Sequence, residues 1–475
     1  MKVLLIIPYV PLEVIYGKLN KEIGSVMPSL GIFYLASYLK SVQKHDVEIL
    51  DANVLQMDTQ ALEKHIAGKS FDCIGFTATT LGYSYAVENA KAIRELFPGV
   101  KIVLGGPHAQ AEPGGILKEN PGLFDFVCYG EGEFAFELLL DFLEAKIAEK
   151  ELRGWMYLQA GQIIETPPAP IPENLDVFGH PARLLPREWI PLYHEKIFSY
   201  KKLPMFSLMS SRGCPFQCTF CSTPRKFKKL YQGRVRFHSI EWIIEEMKIL
   251  EDELGINEVN FWDDTFNVKR QRVLDFCKAK LDNKLRMTWS CNFEANIADV
   301  ELMKAMKAAG CWSIMVGGES GSDRMLEFIK KGVTSRQLRL VGKWANEVGL
   351  VSRVSFILGL PTDTRETIAE TLEFIKQSDF HLPYFQLYVP LPGTEMFEQL
   401  ATFGEVVIGD PKKRSASKVN YLPRGLTEEF LLEKYSEAYK VAYLRWKMVW
   451  NHLQFIRSWK DVKRYWLGLK ALRNM

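Results

Sequence analysis

Three closely spaced cysteines are the residues of this sequence best suited to chemistry. Cys214, Cys218 and Cys221 have the spacing CxxxCxxC and come just after the apolar run Met205 to Met209. This placement predicts a loop that leaves a buried strand, and such a loop can wrap a metal. A four-iron, four-sulfur cluster is usually held by four thiolates, and this motif supplies three. One iron would therefore keep an open position, where a substrate or cosubstrate can bind.

Two other interpretations of the three cysteines stay open. Buried thiols can pack as small hydrophobic side chains. Three thiolates with one remote ligand can also form a zinc site. The preceding strand, the cysteine spacing and the segments downstream favour the iron–sulfur cluster.

The segment Ser210 to Cys221, with the aromatic Phe220 directly before the last cysteine, closely resembles the radical SAM enzymes. The resemblance implies that the open iron chelates the amino and carboxylate groups of S-adenosylmethionine, and that Phe220 helps to position this cosubstrate. It implies that the reduced cluster cleaves this cosubstrate to a 5′-deoxyadenosyl radical. It also implies an external electron donor such as a flavodoxin or a ferredoxin.

The composition is typical of a globular protein, with 47% hydrophobic and 25% charged residues among 475. At roughly 150 residues per domain, this length predicts two or three domains. The formal net charge of +3 is too small to argue for nucleic acid. The five other cysteines are scattered and form no disulfide framework. We find no signal-peptide pattern and no spanning apolar run, so a cytoplasmic location is expected.

Residues 1–150 alternate strand and helix patterns, which predicts a doubly wound, parallel α/β domain. The predicted strands are Val3 to Ile7, Val47 to Leu50, Cys73 to Phe76, Ile102 to Leu104 and Phe126 to Tyr129. Ligands of such sheets bind at the carboxyl ends of the strands. Hydroxyls and glycines that could hold a large polar cofactor follow these ends.

Three stretches of this domain, PSLGIFYLASYL, GGPHAQAEP and DFVCYGEGE, look like the cobalamin-binding domain that precedes many radical SAM domains. The resemblance implies that cobalamin contacts the residues at the strand ends, which are Thr77, Thr79, Gly105, Gly106, His108, Gly130, Glu131 and Gly132. The DxHxxG motif, which supplies a histidine to cobalt in other cobalamin proteins, is absent. The resemblance implies cobalamin without a histidine below the cobalt, so His108 is expected in the pocket wall. A sheet that has lost its cofactor is the alternative.

The strand and helix rhythm breaks over residues 151–204, where seven prolines between Pro167 and Pro191 predict an extended linker. It resumes over residues 205–400, with a first strand before the cysteines. The five later predicted strands are Glu258 to Trp262, Met287 to Cys291, Trp312 to Val316, Val354 to Leu358 and Phe385 to Val389. Six such units predict a partial (βα)6 barrel with its chemistry at the carboxyl-terminal rim.

Polar residues at this rim are candidates for binding S-adenosylmethionine. The resemblance implies that Asp263 or Asp264 contacts the methionine amino group, although such a pair can also cap a helix. It implies that Glu319, followed by Ser320, binds the ribose hydroxyls; a turn that faces solvent is the alternative. Strand alternation directs Arg353 to one face, where it could neutralise the cosubstrate carboxylate or form an ordinary ion pair.

Residues 401–475 predict a helical C-terminal region. From Tyr443 onward, eight lysines and arginines face the single acid Asp461, and four tryptophans are interleaved with them. An amphipathic helix of this kind lies on anionic lipid, which would place the protein peripherally on the inner face of a membrane. A helical cap packed on the barrel is equally compatible, and nucleic-acid binding is not favoured.

Together these patterns predict a cobalamin-dependent radical SAM enzyme that methylates an unactivated carbon of a small-molecule, lipid or isoprenoid-type substrate. A ring-forming oxidation, as in the anaerobic cyclase of bacteriochlorophyll synthesis, is an alternative. A cobalamin and iron–sulfur sensor without turnover is another. A transfer RNA methylthiotransferase is less similar, because its first domain brings three more cluster cysteines, and only Cys73 and Cys128 precede residue 214 here.

Overall fold

The computed structural model of the chain describes residues 1–16, 24–42, 44–195, 199–221, 234–409 and 414–444. These residues form one sheet of seven strands, one of six strands and two short hairpins. The basic, tryptophan-rich segment that we predicted to touch lipid covers residues 445–475 and lies outside the described residues. No helix of the described segments has both the length and the apolar character needed to cross a membrane.

The N-terminal sheet confirms the predicted doubly wound fold. Five parallel strands are arranged in the order β2-β1-β3-β4-β5. Their bounds are Lys2–Ile7 (β1), Asp46–Asp51 (β2), Cys73–Thr77 (β3), Lys101–Gly105 (β4) and Phe126–Cys128 (β5). Each is a short apolar run because helices cover both faces of the sheet. The strand order reverses between β1 and β3, where sheets of this kind bind their ligands.

Seven helices accompany these strands. They are Leu12–Tyr16 (α1), Leu30–Ser41 (α2), Thr59–Ile66 (α3), Tyr83–Leu96 (α4), Pro107–Ala111 (α5), Pro113–Glu119 (α6) and Gly132–Leu143 (α7). Helices α2 and α7 share a core with one face of the sheet, and α3, α4 and α6 cover the other face.

The first sheet continues past residue 150, where we had placed the end of the first domain. Strands Trp155–Gln159 (β6) and Gln162–Glu165 (β7) form a hairpin that adds antiparallel to β5. The predicted extended linker therefore begins with regular structure, which the proline-rich sequence directly behind it concealed. The connector that follows carries three short 3-10 helices, Leu175–Phe178, Pro181–Leu184 and Arg187–Leu192.

The second sheet confirms the predicted six parallel strands. Their order is β15-β14-β13-β12-β11-β8. Their bounds are Met205–Leu208 (β8), Glu258–Phe261 (β11), Thr288–Phe293 (β12), Cys311–Glu319 (β13), Val351–Leu358 (β14) and Leu382–Leu387 (β15). The short strands are Ser211–Arg212 (β9), Arg236–Phe237 (β10), Gly404–Val406 (β16) and Tyr421–Pro423 (β17).

Helices join the parallel strands, as this architecture requires, and two more follow the last of these strands. They are Ile240–Lys248 (α8), Arg270–Asp282 (α9), Val300–Ala308 (α10), Asp323–Phe328 (α11), Ser335–Val348 (α12), Arg365–Gln377 (α13), Leu400–Phe403 (α14) and Glu428–Tyr443 (α15). A π-helical turn, Ile249–Glu253, extends α8, and 3-10 turns occur at Glu149–Glu151, Phe266–Val268, Ala295–Ile297 and Phe397–Gln399.

One hydrophobic core joins the two sheets through α2. Phe33 of α2 packs edge to face against Phe206 of β8, with ring centroids 6.3 Å apart. The hydroxyl of Tyr34 donates a hydrogen bond of 2.8 Å to the carbonyl of Met209, just beyond β8. The first domain thus contacts the strand that leads into the cysteine motif.

The connector closes the amino end of the second sheet around the buried carboxylate of Glu258. This carboxylate accepts hydrogen bonds from the backbone N–H groups of Lys201 and Lys202, at 2.9 and 2.8 Å. It also accepts from Trp312 Nε1 at 3.0 Å and from Thr288 Oγ1 at 3.1 Å. These bonds tie the connector to three strands of the sheet.

We expect Glu258 to make stability depend on pH. Burial raises the pKa of Glu258 to about 7 from its ordinary 4.5. The folded state therefore holds this proton more tightly, so its stabilising contribution is complete below the ordinary pKa and is lost as pH rises to about 7. Over that range the free energy of unfolding should fall by about 3 kcal/mol relative to Glu258→Gln, as measured by urea unfolding. If the free energies of unfolding of the wild type and of Glu258→Gln changed equally with pH, the prediction would be contradicted. Glu347→Gln, which replaces an exposed glutamate, is the control and should follow the wild type.

Candidate functional site

The cysteine motif lies on a loop whose two ends are paired. β9 directly precedes the motif, and β10 pairs with it antiparallel, Arg212 opposite Arg236. Gly213 has φ +98°, and a Cβ there would lie 2.5 Å from the carbonyl oxygen of Arg234. Only glycine fits this turn without strain. The chain therefore bends sharply just before Cys214.

The three predicted cluster ligands are half-buried, whereas the other five cysteines are fully buried. The N–H of Cys221 donates to the carbonyl of Cys218 at 3.3 Å. Both Cys214 and Cys218 interact electrostatically with Cys221. Sγ of Cys214 lies 3.6 Å from Oγ1 of Thr265. Three accessible soft donors gathered on one loop fit an iron–sulfur cluster.

The second domain holds the middle of this loop. The N–H of Thr219 donates to the carbonyl of Ile329, and the carbonyl of Thr219 accepts from the N–H of Met396, both at 3.0 Å. Phe220, predicted to line the cosubstrate site, is half-buried and packs against the shared core. The loop is thus bonded to two segments of the second domain, one between β13 and β14 and one after β15.

A buried cluster of charges that the sequence did not predict lies beside Cys218. Nζ of Lys331 is 2.9 Å from Oε2 of Glu294 and 3.9 Å from Oε1 of Glu319. Burial raises the pKa of Glu319 to about 7, although Lys331 lowers it. Burial lowers the pKa of Lys331, but the carboxylates of Glu319 and Glu294 outweigh this effect, so the pKa lies above its ordinary value. No spacing pattern in the sequence connects Lys331 or Glu294 with Glu319.

The backbone at Glu319 is strained. Its φ is +58°, and it follows a register shift between β13 and β14. Such conformations cost about 1–3 kcal/mol and persist only where the surroundings enforce them. The strain aims the Glu319 carboxylate at Lys331, at the rim where we predicted the ribose site.

Asp263 and Asp264, the two carboxylates predicted at the end of β11, have different environments. Asp263 is fully buried and accepts three hydrogen bonds of 2.6 Å, from the N–H and Oγ of Ser210 and from Oγ of Ser211. Asp264 is exposed; burial raises the pKa of the Cys214 thiol, and the nearby Asp264 carboxylate adds to that rise. Asp263 thus shapes the start of the cysteine loop, and Asp264 is the better placed of the two for a ligand ammonium.

Two other predicted contacts have protein partners. Oγ of Ser320 lies 3.0 Å from Oγ1 of Thr371, and it accepts from the N–H of Ser322 at 3.2 Å. Arg353 is buried, and its Nη1 donates to the carbonyl of Ser199 in the connector at 3.5 Å. Both contacts fix the local fold, and their roles toward S-adenosylmethionine stay predictions.

The residues predicted for cobalamin meet at the carboxyl edge of the first sheet. Thr77 and Gly105 end the neighbouring strands β3 and β4, and Gly130 follows β5. Gly106 has φ +90°, and a Cβ there would lie 2.5 Å from Oγ1 of Thr77. Thr79 is exposed, and its Oγ1 accepts from the N–H of Gly82 at 3.2 Å.

His108 supplies a buried polar atom at this edge. Its Nδ1 has no hydrogen-bond partner in the described part of the chain. The ring lies against Tyr83, with centroids 4.3 Å apart. Burial, followed by Arg414, lowers the pKa of His108 to about 4, so the ring is neutral near pH 7. An unpartnered buried nitrogen beside close-packed backbone fits a large polar ligand such as cobalamin.

Glu131 and Glu133 form ion pairs with Arg212 and Arg236, and we call these four side chains the clamp. Arg212 pairs with Glu133 at 2.6 Å and with Glu131 at 3.3 Å. Arg236 makes two hydrogen bonds to Glu131. Burial raises the pKa of Glu131, but Arg212 and Arg236 hold it below its ordinary value. The Glu131 carboxylate is therefore committed to arginines, and only its backbone remains for the predicted cobalamin contact, with Gly132 beginning α7.

The carboxyl edges of the two sheets face each other. Besides the clamp, Gly393, in the turn beyond β15, approaches Ala111 of α5 so closely that a Cβ on it would lie 3.3 Å from the Ala111 Cβ. Arg414 is near enough to lower the pKa of His108. These contacts bring the carboxyl edges of the two sheets together.

Two family models match the chain: the B12 binding domain over residues 18–140 and the Radical SAM superfamily over residues 208–375. An uncharacterized methyltransferase of Pyrococcus horikoshii is 34% identical over 463 residues, which cover 96% of each chain. An anaerobic magnesium-protoporphyrin IX monomethyl ester cyclase of Rubrivivax gelatinosus is 27% identical over 404 residues, covering 82% of this chain and 69% of the cyclase.

Solved structures share the fold. The radical S-adenosylmethionine methyltransferase TsrM from Kitasatospora setae, with cobalamin and a 4Fe-4S cluster bound, matches with a TM-score of 0.70 and 15% identity. The match covers 93% of this chain and 88% of TsrM. The cobalamin-dependent S-adenosylmethionine radical enzyme OxsB matches with a TM-score of 0.67 and 20% identity over 84% of this chain. The chain spans only 55% of OxsB.

Replacing Cys218 should prevent cluster assembly. We expect Cys218→Ala to take up on the order of tenfold less iron and sulfide after anaerobic reconstitution, because a loop with two thiolates cannot hold the cluster. Iron and sulfide analysis with visible absorption measures this. Cys277→Ala removes a buried thiol of α9 and should load normally; equal loss in both variants would contradict the assignment.

Replacing Lys331 should destabilise the protein more than replacing a lysine buried elsewhere. Lys331→Met leaves Glu294 and Glu319 without their shared ammonium, which should cost about 3–5 kcal/mol in urea unfolding. Lys280 is also buried, and within the described residues its ammonium donates only to the Leu285 carbonyl, at 2.7 Å. Lys280→Met should therefore cost about 1 kcal/mol. Equal costs would show that the three charges are not coupled.

Proposed function

The chain belongs to the radical SAM family whose members carry an N-terminal B12 binding domain, and from this membership we propose that it transfers a methyl group to an unactivated carbon. It is an enzyme, and the cofactors predicted from its sequence are those of its two domains: cobalamin, a 4Fe-4S cluster and S-adenosylmethionine. The observation that supports methyl transfer best is the opposition of the two carboxyl edges. A substrate held between them would meet both cofactors.

The residues of the chain itself would bind and orient the cluster and S-adenosylmethionine. Cys214, Cys218 and Cys221 would hold the cluster. Glu319, fixed by Lys331, would bind the ribose hydroxyls. When bound, the cluster and S-adenosylmethionine supply a hydrogen-abstracting radical, and cobalamin supplies the methyl group.

Exposed Asp264 would accept hydrogen bonds from the cosubstrate ammonium. At the other edge, Gly106 and His108 would line the cobalamin site. The shared core around α2 and the clamp keep the two edges together.

The substrate class that we propose is a small molecule with a large apolar part, of lipid or isoprenoid type. Trp262 is 48% exposed at the end of β11, and by strand alternation it shares a face with Asn260. A large apolar surface at the rim suits such a substrate. The basic tryptophan-rich tail would bring the enzyme to a membrane surface, and a flavodoxin or ferredoxin would reduce the cluster.

A ring-forming oxidation is the second candidate. The similarity to the Rubrivivax cyclase supports it, because that relative matches 82% of this chain. The two candidates differ in products, since methyl transfer consumes a second S-adenosylmethionine as methyl donor and leaves S-adenosylhomocysteine. A cofactor sensor would form neither that product nor 5′-deoxyadenosine.

We expect the reconstituted chain, with cobalamin and reductant, to form both 5′-deoxyadenosine and S-adenosylhomocysteine from S-adenosylmethionine. Glu319→Gln should lower deoxyadenosine formation on the order of a hundredfold by misplacing the nucleoside. Chromatography with mass detection separates the two products, and Glu327→Gln, exposed on α11, is the control.

Each other result decides against methyl transfer. Deoxyadenosine alone, with cobalamin shown to be bound, would favour the cyclase. Neither product, with cluster and cosubstrate shown to be bound, would favour a sensor.

A further inference from the structure

The clamp holds both ends of the cysteine loop. Arg212 stands two residues before Cys214, and Arg236 stands opposite it on β10, where the chain returns. The single carboxylate of Glu131 contacts both arginines. The two carboxylates and two guanidiniums of the clamp have a net formal charge of zero, so the clamp needs no charged ligand to neutralise it.

The arginines have little freedom to move. The guanidinium of Arg212 lies over the rings of Phe178 and Tyr34, at 4.6 and 5.1 Å from their centroids. Arg236 also donates to the carbonyl of Pro172 at 3.1 Å. Planar guanidiniums that bind two acceptors fix direction as well as distance. A displacement of Glu131 is therefore passed to the ends of the loop.

Glu131 is also connected, through its neighbour Gly130, to the edge of the first sheet where cobalamin is expected to bind. The carbonyl of Gly130 accepts a hydrogen bond of 2.9 Å from Nε2 of Gln110. Gln110 belongs to α5, which begins directly after Gly106. An unbroken series of contacts thus runs from Gly106, through Gln110, Gly130 and the clamp, to the loop that carries Cys214.

We propose that the clamp is a positioning device that couples occupancy of the cobalamin edge to the geometry of the cysteine loop. Its residues need not touch either cofactor, because they act through the backbone on each side. This inference rests on the proposed function for its consequence, which is that methyl transfer needs the clamp more than S-adenosylmethionine cleavage does.

Hydrogen–deuterium exchange of the full chain tests the coupling without turnover. We expect added cobalamin to slow exchange on the order of tenfold in peptides that cover residues 210–214 and 236–238 of the wild type. In Arg236→Met this slowing should be lost. In Arg236→Lys it should return only in part, because an ammonium cannot make the paired contacts of a guanidinium.

Two further variants guard the exchange test against misfolding of Arg236→Met and against a general effect of losing a buried ion pair. Arg236→Met combined with Glu131→Gln leaves Arg212 paired with Glu133, so it should fold even where the single variant does not. Asp125→Asn breaks the Arg94–Asp125 ion pair of 2.6 Å inside the first domain and should keep the slowing. Slowing in the double variant equal to that of the wild type, or none in the wild type, would overturn the inference.

Product analysis separates this inference from the proposed function. We expect Arg236→Met to lower S-adenosylhomocysteine formation on the order of tenfold and 5′-deoxyadenosine formation by a clearly smaller factor, because the three thiolates and the bonds of Thr219 to the second domain remain in place. A parallel fall of both products would overturn the positioning role. A wild type that shows the slowing but forms no S-adenosylhomocysteine would refute methyl transfer and leave the clamp intact.

Discussion

The described part of the cysteine loop, residues 213–221, contains no helix or strand, so its shape depends on what holds its end and its middle. Here the end adjoins a pair of two-residue strands bound by the clamp to the first domain. The middle is bonded through Thr219 to two segments of the second domain. Because neither domain alone makes all of these contacts, the position of the cysteines is a property of the assembled pair.

Two groups of charges next to this loop are buried and paired. Burying a charge is unfavourable unless partners offset the lost hydration, and a buried ion pair is weak evidence for stability, because apolar replacements are often as stable. The clamp and the group of Glu294, Lys331 and Glu319 both lie next to the cysteine loop and not in the apolar cores. Both groups of charges are therefore better explained by the way they orient the cysteine loop and the neighbouring side chains than by a gain in stability.

The sequence predicted the strands and the cysteine loop because these features are local. Apolar runs mark strands covered on both faces, and a ligand motif within eight residues needs no fold to be recognised. The hairpin over residues 155–165 was missed, because its short strands stand before a proline-rich stretch. Contacts between distant segments were also out of reach: Glu131 meets arginines 81 and 105 residues away, and Lys331 meets a glutamate 37 residues away. Alternation assigns a residue to a face but does not say which segment lies opposite.

Neighbouring carboxylates at this rim divide two tasks, and burial decides which residue takes which. Asp263 is enclosed by the serines that begin the cysteine loop, so its charge is used to fix the loop, while exposed Asp264 beside it remains accessible. Glu294 likewise binds Lys331 at 2.9 Å and the N–H of Ala295 at 3.0 Å, whereas Glu319 lies farther from the same ammonium. A carboxylate whose acceptor sites are filled by short protein hydrogen bonds gains little from a ligand, because binding would break bonds already made. The number of acidic residues at a rim therefore overstates the number that a cosubstrate could reach without breaking bonds of this kind.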